Sequence, residues 1–261
     1  MRQKYADLYG VDARYWLPRL PHLKINVTYR CDRGCSNCNR SVRLCPSSVQ
    51  QDISPKQISD MLEECVKNGK TWTRITLTGG EPTMHDKFEE IVDILMEYKK
   101  NHNPKLNVGS YTYHHPKFYY KIESVVKKYP DFIVIDTKKW KPRVHKLAIH
   151  RAPIDIEPEK YNKDHLYTGC NEGSRLCGIG FDYTNKFYLC PLAAAIARVF
   201  RLDMGIKKVA DLTVKNLVEQ CKMVCPLCGC YAYYRADVNK DLISPTWEKA
   251  IKEYNEQKIV V

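Results

Sequence analysis

Leu23-Lys-Ile-Asn-Val-Thr-Tyr-Arg-Cys31-Asp-Arg-Gly-Cys35-Ser-Asn-Cys38 reads as a strand running straight into a loop of three cysteines. Residues 23–27 alternate apolar and polar, the period of an extended strand with two unlike faces. Cys31, Cys35 and Cys38 follow at C-x3-C-x2-C spacing. Iron-sulfur clusters normally take four cysteinyl sulfurs, so a compact loop that offers three can wrap a cubane and leave its fourth iron open. A strand is a rigid mount for such a site. The same spacing also admits a zinc site, which needs a fourth His or Cys ligand, and Cys45 is near enough in sequence to supply it.

Downstream, Arg74-Ile-Thr-Leu-Thr78 reads as a second strand, runs into Gly79-Gly80-Glu81-Pro82, and is followed by a helical pattern from His85 to Tyr98. Glycines there let the backbone approach a ligand closely. The two motifs together, in their strand-loop-helix context, resemble the radical S-adenosylmethionine (radical SAM) superfamily. The resemblance implies a [4Fe-4S] cluster on Cys31, Cys35 and Cys38. The methionine moiety of S-adenosylmethionine would chelate its open iron, with Gly79, Gly80, Glu81 and Pro82 contacting the methionine amine. Asn37 stands where the family usually has an aromatic residue that touches adenine.

Between the motifs, Ser54 can cap a helix with Pro55 at its first position and Ile58, Met61, Leu62 and Val66 on its apolar stripe. Cys65, inside that helix, reads as a small buried hydrophobe. Strand-like Leu106 to Tyr113, a helical stretch from Pro116 to Lys128, strand-like Phe132 to Ile135 and a fifth strand at Val144 to Ile149 continue the alternation of βαβ units around a parallel sheet. The family implies an α/β fold, a partial (β/α)6 barrel, expected over residues 1–160. Parallel barrels work at the carboxyl ends of their strands. That directs attention to Ser110 and Thr112, which the resemblance implies as contacts of the cofactor's ribose or carboxylate, and to Asp136, His150 and Arg151.

From Cys170 the cysteines crowd again. Cys177 to Cys190 reads as a hairpin turning at Thr184-Asn-Lys. Pro191 then opens a helix to Phe200, and a second helix from Val214 to Met223 precedes Cys225-Pro-Leu-Cys228. This layout resembles the twitch subdomain, the short form of the SPASM extension found on some radical SAM enzymes. It implies a small C-terminal hairpin-helix iron-sulfur subdomain over 161–235, holding a second [4Fe-4S] cluster on Cys177, Cys190, Cys225 and Cys228. Cys170, Cys221 and Cys230 are nearby substitutes, and two cysteine pairs would also satisfy tetrahedral zinc. Residues 236–261 are expected as a helical tail, with Trp247, Ile251 and Tyr254 on one face.

Composition narrows the rest. Twelve cysteines with no signal-like apolar segment fit metal ligation better than a secreted disulfide scaffold. With no run of 18 apolar residues, the expectation is a cytoplasmic protein with no membrane partner. The net charge of +12 bears on association rather than fold. Its densest stretch, Lys138 to Lys146, reads as a solvated loop or a docking surface for phosphates. The resemblance implies an enzyme that cleaves S-adenosylmethionine reductively to a 5′-deoxyadenosyl radical. A flavodoxin or ferredoxin would be its low-potential electron donor. The expected substrate is a small hydroxylated metabolite of the sugar or nucleotide-sugar kind, phosphorylated or not. Epimerisation, modification of a ribosomally made peptide, and a zinc-stabilised basic RNA-binding protein are the alternatives, and nucleic acid is not the expected partner.

Overall fold

The computed structural model describes residues 21–137, 147–156, 178–230 and 241–256. Its centre is a six-stranded sheet of order β4-β3-β2-β1-β5-β6. The strands are β1 (His22–Thr28), β2 (Arg74–Gly79), β3 (Asn107–Thr112), β4 (Ile133–Asp136), β5 (Ile179–Asp182) and β6 (Phe187–Tyr188). All neighbours pair in parallel except β5 with β6, which form an antiparallel hairpin. The result is the open, mostly parallel α/β sheet that the sequence predicts.

Register explains the alternation in the strands. Ile25 stands beside Leu77 and Phe181, and Leu77 beside Ser110, so these side chains share one face. That face is apolar, with Leu23, Ile25, Ile75, Leu77, Val108, Ile179 and Phe181 all buried in the core. Helices α1 (Pro55–Lys67), α2 (Phe88–His102) and α3 (Tyr120–Lys128) contribute Ile58, Leu62, Ile91, Leu95 and Ile122 to the same core. Over the central strands the opposite face is polar, with Lys24, Asn26, Thr76, Thr78 and Asp182 at the intervening positions, and toward the β4 edge Tyr111 stands beside Ile135. A parallel sheet buried on both faces ordinarily reads as a continuous apolar run. Here one face is reserved for polar groups.

Local signals behave as their chemistry dictates. Ser54 caps α1 by accepting from Gln57 N–H, and Gln57 returns the bond to Ser54 N–H, a complete capping box. Asn185 sits at φ 58° in the hairpin turn, a backbone state that asparagine tolerates. Cys65 is fully buried, accepting from Trp72 Nε1 at 3.3 Å, and burial pushes its thiol up to about 11.

One expectation changes. The strand predicted over Val144 to Ile149 is not one where it is described: Ile149 N–H bonds to Leu147 O and Arg151 N–H to Ala148 O, closing turns. Its carbonyls serve other segments, Ile149 O accepting from Gly229 N–H and His150 O from Ser244 N–H. The helix α4 (Pro153–Ile156) follows. The hairpin strand β5 lies parallel against β1 over Leu23 to Asn26, so it is continuous with the main sheet. Beyond it come α5 (Pro191–Phe200), α6 (Val214–Val224) and α7 (Pro245–Glu256). The basic stretch 138–146, Cys170 and Cys177 lie outside the described residues.

Candidate functional site

The cysteine loop and the Gly-Gly-Glu-Pro segment, 40 residues apart in sequence, meet through backbone. After β2 ends, Gly80 N–H donates to Thr28 O at 2.7 Å and Glu81 N–H to Arg30 O at 2.9 Å, so the second motif is zipped along the chain that enters Cys31. No side chain fits between them. A Cβ added at Gly79 or Gly80 would collide with the carbonyl oxygen of Thr28 or Arg30 respectively. Gly79 also has φ 132°, a backbone state that L side chains rarely adopt.

The Glu81 carboxylate is buried and fully engaged. Oε1 accepts from Thr112 Oγ1 at 2.8 Å and from Thr83 Oγ1 at 2.7 Å, and Oε2 accepts from Tyr113 N–H at 3.0 Å. It therefore braces the ends of β2 and β3, leaving backbone as what this segment presents. Pro82 opens a buried 3-10 turn, Pro82–Met84. Glu81→Gln would turn an amide N–H₂ toward either Tyr113 N–H or Thr83 N–H, leaving one backbone donor without an acceptor. A loss of about 1–3 kcal/mol of stability is expected, read as a lower denaturation midpoint at unchanged slope.

The three loop cysteines are partly buried. The Cys31 thiol is pushed up to about 12, chiefly by burial and in smaller part by Cys38, Glu81 and Cys35, against the lowering effect of the Arg33 N–H at 3.4 Å. Among the described residues, no three His, Cys, Asp or Glu side chains converge as ligands of a single metal ion. A cubane takes each thiolate on a separate iron, so its ligands need not converge on one point. Three thiols on one loop, which leaves directly from a backbone cradle that excludes side chains, are the donor set such a cluster takes, with S-adenosylmethionine alongside.

The remaining predicted positions are scattered. Thr112 belongs to the Glu81 brace. Ser110 is fully buried on the apolar face, beside Leu77, with its hydroxyl donating to Tyr111 O at 3.0 Å. Asp136 ends β4, 3.5 Å from His114 Nε2. His150 is fully buried, its Nε2 3.0 Å from Ser41 Oγ. Cys45 is buried in the core and its carbonyl accepts from Arg198 at 3.0 Å. In the C-terminal set, Cys190 caps α5 and its sulfur accepts from Ala193 N–H at 3.4 Å. Leu189 N–H bonds to Gln220 on α6 at 2.6 Å, and Cys225 is the C-cap of that helix, so the segments bearing Cys190, Cys225 and Cys228 are tied together.

Sequence reasoning passed over a buried network on the polar face. Asn26 donates to Tyr29 OH at 3.1 Å and to Pro191 O at 3.2 Å, while Tyr29 OH donates to Asp182 at 3.0 Å. Arg40 donates to Asn26 at 2.9 Å. The Arg198 guanidinium lies over the Tyr29 ring at 4.5 Å and donates to Arg40 O at 3.1 Å. Burial raises the Asp182 carboxyl above its ordinary value, and bonds from Thr184 and Tyr29 and the charge of Arg198 offset part of that. The readable signals were the polar alternation within β1 and one arginine in the apolar run Ala193 to Phe200.

A mostly parallel sheet carrying a three-cysteine loop at the exit of β1, zipped against a glycine strand end, defines an enzyme of S-adenosylmethionine radical chemistry. Residues 25–153 match the family model described as the Radical SAM superfamily, and the chain is a radical SAM enzyme. No curated protein matches it in sequence. Among solved structures, it is similar to BtrN in complex with AdoMet and 2-DOIA, with 12% identity, TM-score 0.45, and coverage of 82% of this chain and 88% of that one. It is also similar to native anSMEcpe with bound AdoMet and Cp18Cys peptide, with 14% identity, TM-score 0.44, and coverage of 92% and 98%. Streptococcus suis SuiB bound to precursor peptide SuiA matches with 14% identity and TM-score 0.38, over 63% of this chain and 32% of that one. Among the described residues no helix is long and apolar enough to cross a membrane.

Proposed function

We propose that this radical SAM enzyme holds two [4Fe-4S] clusters and oxidises or rearranges a small hydroxylated metabolite of the sugar or nucleotide-sugar kind. Cys31, Cys35 and Cys38 hold the first cluster; Cys177, Cys190, Cys225 and Cys228 hold the second. Residues 1–160 form the radical-generating core, 161–235 the auxiliary unit and 236–261 the tail. When bound and reduced by a low-potential donor, the first cluster and S-adenosylmethionine supply the 5′-deoxyadenosyl radical. The chain's own residues then decide the outcome by placement, since so reactive a species takes hydrogen from whatever is nearest.

One observation carries the two-cluster reading. Cys190 sits at the N-terminus of α5, where the helix dipole and Ala193 N–H favour a thiolate, and its neighbour Leu189 is fastened to the helix that Cys225 caps. The polar face lined by Lys24, Asn26, Thr76, Thr78 and Tyr111 supports a substrate rich in hydroxyl groups. The test is metal analysis after anaerobic reconstitution. Replacing Cys190, Cys225 and Cys228 together with alanine is expected to lower iron from about eight to about four per chain while the S-adenosylmethionine-responsive cluster persists. Zinc in the wild-type C-terminal set, or undiminished iron in the variant, would overturn the assignment.

A further inference from the structure

Asn37 is where the cysteine loop departs from its family's pattern, and it has a partner from far along the chain. It is fully buried with φ 52°. Its backbone N–H donates to the Asp241 carboxylate, and its side-chain carbonyl accepts from Leu242 N–H at 3.2 Å. Asp241 also pairs with the Arg43 guanidinium, so it is contacted from both sides of Cys38. Further along the same segment, Asn255 of α7 donates to Leu44 O at 2.9 Å and Tyr254 OH to Pro46 O at 3.2 Å. Both ends of 241–256 therefore grip the loop that carries Cys38. A non-glycine residue held at positive φ persists only where its surroundings over-determine it, and here those surroundings are Asp241 and Leu242.

We propose that Asp241 and Asn37 are positioning residues for the N-terminal cluster: the chain's own C-terminal segment latches the Cys35–Cys38 turn and fixes where Cys38 presents its sulfur. The carboxylate-to-amide bond is charge-assisted, hence directional. Losing an outer partner that orients a metal ligand typically costs roughly 10–100-fold in metal affinity.

The test uses the full chain as wild type, Asp241→Ala, Asp241→Asn and Asn37→Gly. Asp241→Asn keeps an acceptor for Asn37 N–H, and Asn37→Gly keeps that N–H while tolerating its φ. Iron release to a chelator is expected to be about tenfold faster in Asp241→Ala, with a smaller change in the electron paramagnetic resonance spectrum on adding S-adenosylmethionine. Asp241→Asn should recover most of both. In cluster-free chains, alkylation of Cys38 relative to buried Cys65 should be faster in Asp241→Ala than in wild type. This readout needs no iron, so it tests the latch separately from the cluster assignment. Wild-type release, spectral response and Cys38 labelling in a folded Asp241→Ala chain would overturn the latch. Should Asp241→Ala fail to fold, Asp241→Ser decides, its shorter hydroxyl drawing back from Asn37 N–H: faster release and labelling support the latch and unchanged rates sink it, while Asn37→Gly, which loses only the Leu242 bond, should show a smaller change.

Discussion

Replacing Cys31, Cys35 and Cys38 together with alanine is expected to abolish reductive formation of 5′-deoxyadenosine and to remove about four irons per chain. The loop bearing the three thiols starts at Cys31, next to Arg30, whose carbonyl accepts from Glu81 N–H. The three residues are only partly buried, so alanine costs less here than a large-to-small change in the core. Thermal unfolding of the metal-free chains should therefore differ little between variant and wild type, while nucleoside falls to background. That split between stability and chemistry is what identifies ligands. Nucleoside formation at an appreciable fraction of the wild-type rate would refute the assignment.

Gly80→Ala is the second large effect, and it acts through backbone. The new Cβ would meet Arg30 O, the same oxygen that accepts Glu81 N–H at 2.9 Å, while Gly80 N–H is held by Thr28 O at 2.7 Å. Neither neighbour is a side chain that can rotate away. Relief requires the β2 exit to separate from the residues leading into Cys31, breaking both bonds. The expected loss is on the order of 3–5 kcal/mol in stability, with S-adenosylmethionine binding by the reconstituted protein abolished. Gly69→Ala is the control: it has φ 63° and open space around it, so only the left-handed penalty of roughly 1–2 kcal/mol applies. Equal denaturation midpoints for the two variants would show that the close approach at Gly80 is not what the glycine provides.

Strands β1 and β2 were legible because one polar face and one apolar face write a period of two into the sequence, β4 because Phe132 to Ile135 is a short apolar run, and β5–β6 because Asn185 marks the turn. Val144 to Ile149 misled for a physical reason. Its apolar end, Leu147 to Ile149, is buried, but that does not say where the backbone bonds go, and Ile149 and His150 give their carbonyls to Gly229 and Ser244. The two cysteine motifs were plain, being local. What could not be read were pairings across the chain: Asp182 beside Asn26, Glu81 spent on Thr112 and Tyr113, Asn37 on Asp241. Each is an ordinary polar residue whose meaning depends on a partner that sequence proximity does not supply.

The pairing of β5 with β1 also bears on how the protein is made. Asn26 meets Asp182 across roughly 150 residues, and synthesis at about 5–20 residues per second leaves the emerging β1 without that neighbour for on the order of ten seconds. Until then one border of the nascent sheet stands open to other chains, and an unpaired strand is a template for aggregation. Slowing translation between Asp136 and Ile179 should therefore lower the yield of recoverable protein, whereas slowing it after Tyr188 should not.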